Sequence, residues 1–320
     1  MSDRDDLMHE AASMYYLQDA TMETIARQFG MSRSGVSRLL KSARERGIVR
    51  IHVAQADAGG DMARTITREY GVRAHVVPVR TSITEDVRLD HVARYAAQLL
   101  VEWFGPGMTL GIAWGTTVAA MTRYLPHAPR RDATVVQLNG AANNLASGLA
   151  YGTDLVSQFA SAFDAVPTYF PVPAFFDYAQ TRQLMWRERS VRHVLEIQSH
   201  AEIALFGVGA LVAPVPSHVY TSGYLDTADR RALEADGVVG DVCTVFLRGN
   251  GSWEDVAINA RATGPTPRQL QGIARRVCVV SGEAKVAPLR AALLAGAVTD
   301  LVIDDASAQT LVRSGLTSRR

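Results

Sequence analysis

From residue 73 onward the chain alternates between two kinds of segment. "RAHVVPV" (73–79) precedes helical spacing over 87–104, "MTLGIAW" (108–114) precedes 118–124, and "ATVVQL" (133–138) precedes 154–163. Further on come "IALFGVGAL" (203–211), "RVCVVSG" (276–282) and "DLVIDD" (300–305), the last two separated by a helical stretch over 286–295. A strand with one wet face alternates polar and apolar residues, whereas these runs of four to seven apolar residues have no wet face. They predict a parallel sheet covered by helices on both sides, hence a large α/β domain. No internal repeat is visible, and 320 residues leave room for a second, smaller domain.

In such sheets ligands bind beyond the carboxyl ends of the strands, so the residues following each strand are the candidates. Gly115-Thr116-Thr117 follow "LGIAW" and open a helix, offering two hydroxyls and free N–H groups suited to a phosphate. Asn139-Gly140 follow "VVQL", Gly207-Val208-Gly209 follow "IALF", "GVVGDV" presents Gly240 and Asp241, and Glu283 and Lys285 follow "VCVVSG". A glycine after a strand is ordinarily just a turn; its recurrence at one end of several strands is what counts. Of 33 cations only Lys41 and Lys285 are lysines, which sets Lys285 apart from surface filler. Its compact ammonium suits a phosphate or hydroxyls, and Asp241 is the matching acceptor for hydroxyls. The expected ligand-binding residues are therefore Gly115, Thr116, Thr117, Asn139, Gly140, Gly209, Asp241 and Lys285.

The first fifty residues read differently. Leu7, Ala11, Met14 and Tyr15 give one helix; Thr21 caps a second, with Met22, Ile25, Ala26 and Phe29 on one face; Gly30 makes a turn; Ser32 caps a third, carrying Val36, Leu39, Leu40 and Ala43. Gly47 ends that helix, and Val49, Ile51 and Val53 alternate with Arg50 and His52 as a strand with a basic edge. This is a helix-turn-helix with a wing. Ser34, Ser37, Arg38 and Lys41 lie opposite the apolar face of the third helix. Residues 31–50 carry Arg33, Arg38, Lys41, Arg44, Arg46 and Arg50 against one acid, Glu45, in a chain of formal net charge +1. A short polar, cationic face suits the major groove, with Arg38 at a base edge helped by Ser34 and Ser37, and with Arg33, Lys41, Arg44 and Arg50 nearer phosphates. The small-residue stretch "ADAGGD" (56–61) is expected as the linker between a DNA-binding domain over 1–55 and a ligand-binding domain over 60–320, which the resemblance described next makes an effector-binding and oligomerisation domain.

"IARQFGMSRSGVSRLLKSARERGIVRIHV", with its S-R-x-x-V-S-R-L-L core at 32–40, resembles the N-terminal reader of the SorC family of bacterial sugar-responsive transcriptional regulators. Gly35 departs from it by lacking a side chain. The resemblance continues through "LGIAWGTTVAAM" (a W-G-x-T loop), "PVPAFF", "IALFGVGAL", "GVVGDVCTVFL" and "VVSGEAKVAPLRAALLAGAVTDLVIDDASAQTLV". It implies a fold related to sugar-phosphate isomerases used as a sensor for a sugar, polyol or sugar phosphate, in a homodimer or homotetramer on double-stranded operator DNA. Carried over, Gly115, Thr116 and Thr117 fall on the phosphate loop, Asp241 on the G-D acid and Lys285 on the basic position of the last unit.

Other classes are disfavoured by what the chain lacks. Cys243 and Cys278 sit in apolar runs without CxxC spacing or clustered histidines, so neither a metal nor a cofactor is expected. No run approaches the roughly 18–20 apolar residues of a membrane span, and Asp3, Asp5, Asp6 and Glu10 stand where a signal peptide carries cations, so a cytoplasmic location is expected. The competing readings are a sugar-phosphate isomerase or deaminase with a DNA-binding appendage, and a scaffold without a ligand. The first would need His200 or His218 to converge on Asp241 or Glu283.

Overall fold

The computed structural model describes residues 3–49, 57–79, 83–141, 149–211, 217–221 and 223–317. The chain divides into two compact units, Met1–Ala54 and Gln55–Arg320. In the first, helices α1 (Asp3–Leu17), α2 (Met22–Gln28) and α3 (Arg33–Glu45) enclose a core of Met8, Ala11, Met14, Ile25, Ala26, Val36, Leu40 and Ala43. Thr21 Oγ1 accepts from Thr24 N at 3.2 Å and Ser32 Oγ from Gly35 N at 3.1 Å, each cap worth about 1 kcal/mol. Gly30 and Gly47 take the left-handed φ values of +61° and +72° that the turns after α2 and α3 require. The expected wing, with Arg50, Ile51 and Val53, lies outside the described residues.

The expected linker is corrected. Helix Asp57–Tyr70 starts inside "ADAGGD", because Ile66 is fully buried and Met62, Ala63 and Tyr70 pack on the core of the larger unit. That packing outweighs the poor helix propensity of Gly59 and Gly60.

The larger unit contains β1 (Arg73–Val77), β2 (Thr109–Ile112), β3 (Thr134–Gln137), β4 (Val166–Thr168), β5 (Ile203–Phe206), β6 (Val208–Ala210), β7 (Val238–Val242), β8 (Val245–Arg248), β9 (Arg275–Val280) and β10 (Asp300–Asp304). Seven strands form an all-parallel sheet in the order β1-β10-β9-β5-β2-β3-β4. On one face Val92, Ala96 and Leu100 of helix Glu85–Trp103 join Ile112, Val277, Val279 and Val302. On the other, Leu289 of helix Val286–Leu294 and Leu311 of helix Asp305–Thr317 join Phe206, Cys278, Val280, Leu301 and Ile303. Neighbouring residues of β9 and β10 thus enter opposite cores, which is why both strands read as unbroken apolar runs.

"IALFGVGAL" is two strands rather than one. It breaks at Gly207, and β6 leaves the parallel sheet to begin a three-stranded antiparallel sheet, β6-β7-β8. From β2 the chain moves outward to β3 and β4, then returns to the opposite side of β2 as β5. The β2/β5 neighbourhood is therefore a topological switch point, with its crevice at the carboxyl ends of the strands.

Candidate functional site

In the helical unit, Val36, Leu40 and Ala43 are buried while Arg33, Ser34, Ser37, Arg38, Lys41 and Arg44 are exposed, so α3 presents a polar, cationic face to solvent. Arg33 Nε is 3.1 Å from Glu23 Oε1 of α2, an exposed pair worth little in stability. Arg38 Nε donates to Ser34 O at 3.4 Å, which leaves its terminal nitrogens for a partner. Arg46, not among the expected contacts, is engaged with Asp5 of α1. Arg50 lies outside the described residues.

The larger unit carries a cleft at the switch point. It is lined by Trp114, Gly115, Thr116 and Thr117 after β2, Asn139 after β3, Gly207 and Gly209 around β6, Ser217, Asp241 on β7, Cys243 and Thr244 in the β7–β8 turn, and Lys285 after β9. Seven of the eight expected effector residues thus share one cavity. The eighth, Gly140, does not line it. A Cβ there would stand 2.3 Å from Pro173 O, its N–H donates to Thr263 Oγ1 at 3.0 Å, and its carbonyl accepts from Trp114 Nε1 at 2.8 Å. Gly140 holds the Trp114 ring, which also stacks on Tyr224 with centroids 5.2 Å apart.

Lys285 Nζ donates to Thr117 Oγ1 at 3.2 Å. The lysine ends a short turn, Glu283–Lys285, entered through Gly282 at φ +97°. Gly282 N donates to Asp304 Oδ2 at 3.0 Å, and the fully buried Asp304 also takes bonds from Arg88 Nη1 at 2.9 Å and Ser307 Oγ at 2.7 Å. Burial pushes the Lys285 ammonium below its ordinary pKa, against the pull of Cys278, Asp241 and Glu85.

Asp241 pairs with Gly209 across β6 and β7, and a Cβ at 209 would lie 1.9 Å from Asp241 Oδ1, so only glycine admits the carboxyl there. Asp241 Oδ2 accepts from Thr244 N at 3.1 Å. Burial raises the Asp241 pKa to about 6, although Thr244 N–H, Tyr220 and Lys285 all favour the ionised form. Tyr220 Oη, buried and without another partner among the described residues, faces this carboxyl and favours its ionised form, and Asp241 Oδ1 has no partner besides that hydroxyl among the described residues. Asn139 has the complementary deficit. Its Oδ1 accepts from Trp114 N at 3.3 Å, and its Nδ2, in a side chain 1% exposed, has no partner. One buried acceptor and one buried donor left open each cost roughly 1–3 kcal/mol, which a hydroxylated ligand in the same cleft would recover.

Trp114, Ser217, Cys243 and Thr244 line the cleft without having been expected as ligand contacts. Trp114 reads as the apolar end of a strand, and "DVCTVF" reads as one strand. Yet Cys243 and Thr244 form the two-residue turn between β7 and β8, at φ +50° and +70°. Both values are positive, the combination a type I′ hairpin turn uses, and it usually falls to Asn-Gly. His200 bonds to Glu196 O at 2.8 Å at the end of helix Arg189–Ser199 and is not in the cleft. Among the described residues no group of three or more His, Cys, Asp or Glu could hold a metal ion, and no helix is long and apolar enough to cross a membrane.

Residues 60–313 match the family described as "Putative sugar-binding domain". The chain is 32% identical over 316 residues to the deoxyribonucleoside regulator of Bacillus subtilis, covering 97% of this chain and 98% of that one. Its fold matches a domain of a possible sugar-binding transcriptional regulator from Arthrobacter aurescens TC1, at TM-score 0.75 and 45% identity over 81% of this chain and all of that one. It also matches the full-length sorbitol operon regulator SorC of Klebsiella pneumoniae, at TM-score 0.78 and 24% identity over 98% of this chain and all of that one. All three of these relatives carry the name of a regulator.

Proposed function

The chain belongs to this family of sugar-binding transcriptional regulators, and on that premise we propose that its helical unit reads an operator while the cleft of its larger unit binds the effector that controls the reading. The DNA-binding residues are Arg33, Ser34, Ser37, Arg38, Lys41, Arg44 and Arg50, with Arg38 at a base edge and the other cations on phosphates. The effector is a sugar, polyol or sugar phosphate, held by Gly115, Thr116, Thr117, Asn139, Gly209, Asp241 and Lys285. The unpartnered Asn139 Nδ2 and the Asp241 Oδ1 that only the Tyr220 hydroxyl faces carry this reading, since a hydroxyl both donates and accepts and so satisfies either.

Control follows from differential binding. Two readers of a symmetric homodimer or homotetramer face two half-sites, and an effector that prefers one arrangement shifts operator affinity roughly 5- to 150-fold for a coupling of 1–3 kcal/mol. The test uses the full chain with DNA it selects from a random pool. Sorbitol, D-ribose, 2-deoxy-D-ribose and the two pentose 5-phosphates serve as probes. A probe that binds the native state raises Tm and changes DNA retention. Lys285→Ala is expected to leave DNA affinity within about twofold of wild type and to abolish the response. A Lys285→Ala protein that responds as wild type does refutes the site.

A further inference from the structure

Resting on that effector site, we propose that Asp304, which does not line the cleft, is a positioning residue for it: its carboxylate pins the turn that delivers Lys285. β9 and β10 run side by side as far as Val280 and Ile303. Beyond them β9 leads into the Glu283–Lys285 turn, while the next residue of β10 is Asp304. Gly282, at the entrance to the turn, is held through both of its backbone polar groups. Its N–H donates to Asp304 Oδ2 at 3.0 Å, and its carbonyl accepts from Lys285 N at 3.1 Å. A second tie comes from Thr310 Oγ1, which donates to Glu283 Oε2 at 3.2 Å. The turn is thus fastened at two points to β10 and helix Asp305–Thr317, and from it Lys285 Nζ reaches Thr117 Oγ1. An ammonium on a flexible four-carbon stem is aimed only as well as its backbone is fixed.

Asp304 has two separable roles. Its Oδ1 accepts from Arg88 Nη1 at 2.9 Å and Ser307 N at 3.0 Å, and its Oδ2 from Gly282 N at 3.0 Å and Ser307 Oγ at 2.7 Å. These donors fill the roughly four lone-pair sites of a carboxylate, and Arg88 supplies the opposite charge that a fully buried carboxylate needs. The bond from Ser307 N caps the helix and asks for one oxygen, a task asparagine performs as well as aspartate. The bond from Gly282 N asks for the other oxygen. Asparagine has a single oxygen, which Arg88 and Ser307 N both require at the Oδ1 position, so its NH2 falls at the Oδ2 position and meets Gly282 N–H donor to donor. The Ser307 hydroxyl can rotate to accept, whereas a backbone N–H cannot. Asp304→Asn therefore keeps the cap and releases the turn.

Calorimetric titration of the full chain with sorbitol, D-ribose, 2-deoxy-D-ribose and the pentose 5-phosphates tests this in Asp304→Asn, Ser307→Ala, Thr310→Val and Lys285→Ala. NMR of protein carrying isotope-labelled lysine adds the Lys285 side-chain signal, assigned by its absence from Lys285→Ala. Asp304→Asn is expected to bind the preferred probe about tenfold more weakly, the loss of one hydrogen bond, and to move the Lys285 signal toward that of free lysine. Ser307→Ala removes an Asp304 bond without touching the turn, and is expected to lower Tm while leaving affinity within about twofold and the signal in place. Thr310→Val, which cuts the second tie at a half-exposed position, is expected to move the signal in the same direction; if Asp304→Asn fails to fold, an unmoved signal in Thr310→Val overturns the proposal. An unmoved Lys285 signal in a folded Asp304→Asn overturns it too, as does an equal loss of affinity in Ser307→Ala, which would make Asp304 a structural support only. Wild-type affinity in Lys285→Ala, or silence of the wild-type protein toward every probe, removes the effector site itself and the proposal with it. Loss in Lys285→Ala with full binding in Asp304→Asn removes only the role of Asp304.

Discussion

Replacing Asp241 by asparagine removes a carboxyl that the fold holds away from water. It titrates near 6 instead of 3.8, chiefly because burial disfavours its charged form; Thr244 N–H, Tyr220 and Lys285 oppose this only in part. A group whose pKa is higher folded than unfolded binds its proton more tightly in the folded chain. Its contribution to stability is therefore complete below pH 3.8 and is lost as the pH rises through about 6. A displacement of this size corresponds to roughly 3 kcal/mol, surrendered at about pH 7.5 to keep an ionised carboxylate in the cleft. Asparagine keeps an oxygen for Thr244 N–H and carries no charge, but it leaves Lys285 without its carboxylate neighbour. Asp241→Asn is thus expected to stabilise the protein by about 1–3 kcal/mol at about pH 7.5, raising Tm by several degrees, with the difference fading toward about pH 4. The same variant is expected to lose its response to the probes. Thermal unfolding of both proteins across this range is the assay. A Tm difference that does not change with pH, or a variant less stable than wild type at about pH 7.5, refutes the reasoning.

Two further perturbations act on named contacts. Arg38→Ala is expected to weaken binding to the selected DNA by about 1–3 kcal/mol while barely changing binding to random DNA, measured by fluorescence anisotropy at fixed salt; equal losses on both would make Arg38 a phosphate contact. Gly209→Ala places a methyl where Asp241 Oδ1 now sits, so calorimetry should show probe binding lost with DNA affinity retained. Unaltered probe binding would mean that Asp241 does not contact the ligand.

The parallel sheet was legible because β5 and β10 are buried throughout and β9 from Val277 onward, and their runs show it. The helix-turn-helix was legible because its caps and turns use residues whose local chemistry forces the conformation: Thr21, Gly30, Ser32 and Gly47. The site emerged from a rule of topology, that polar residues after parallel strands gather at one pole, and it collected Gly115 to Thr117, Asn139 and Lys285 across well over a hundred residues of sequence. What the pattern concealed depends on contacts between distant segments. The strand end at Gly207 was legible, but that Val208–Ala210 goes on as a strand of a different sheet was not, because β5 and β6 are both apolar. The Cys243-Thr244 turn is invisible because no glycine or asparagine marks it, and Gly264, where a Cβ would run into Cys243 O, comes from another part of the chain. Gly140 looked like a ligand loop because a strand-end glycine has the same appearance whether a ligand or, as here, the backbone of 172–173 approaches it.

With arginine supplying nearly all the cations, the chain displays only two side-chain amines, Lys41 exposed on α3 and Lys285 enclosed in the cleft. Each compact unit therefore holds a single side-chain target for chemistry that distinguishes a primary amine from a guanidinium. An acyl donor reaches Lys41 from solvent, and each acylation there deletes one charge from a face otherwise made of arginine and serine. At Lys285 burial works in two directions: it raises the neutral, nucleophilic fraction of the amine and screens it from the reagent. Reaction at the second amine thus reports access to the cleft, and the extent of modification at the two positions gives a separate account of each compact unit from one sample.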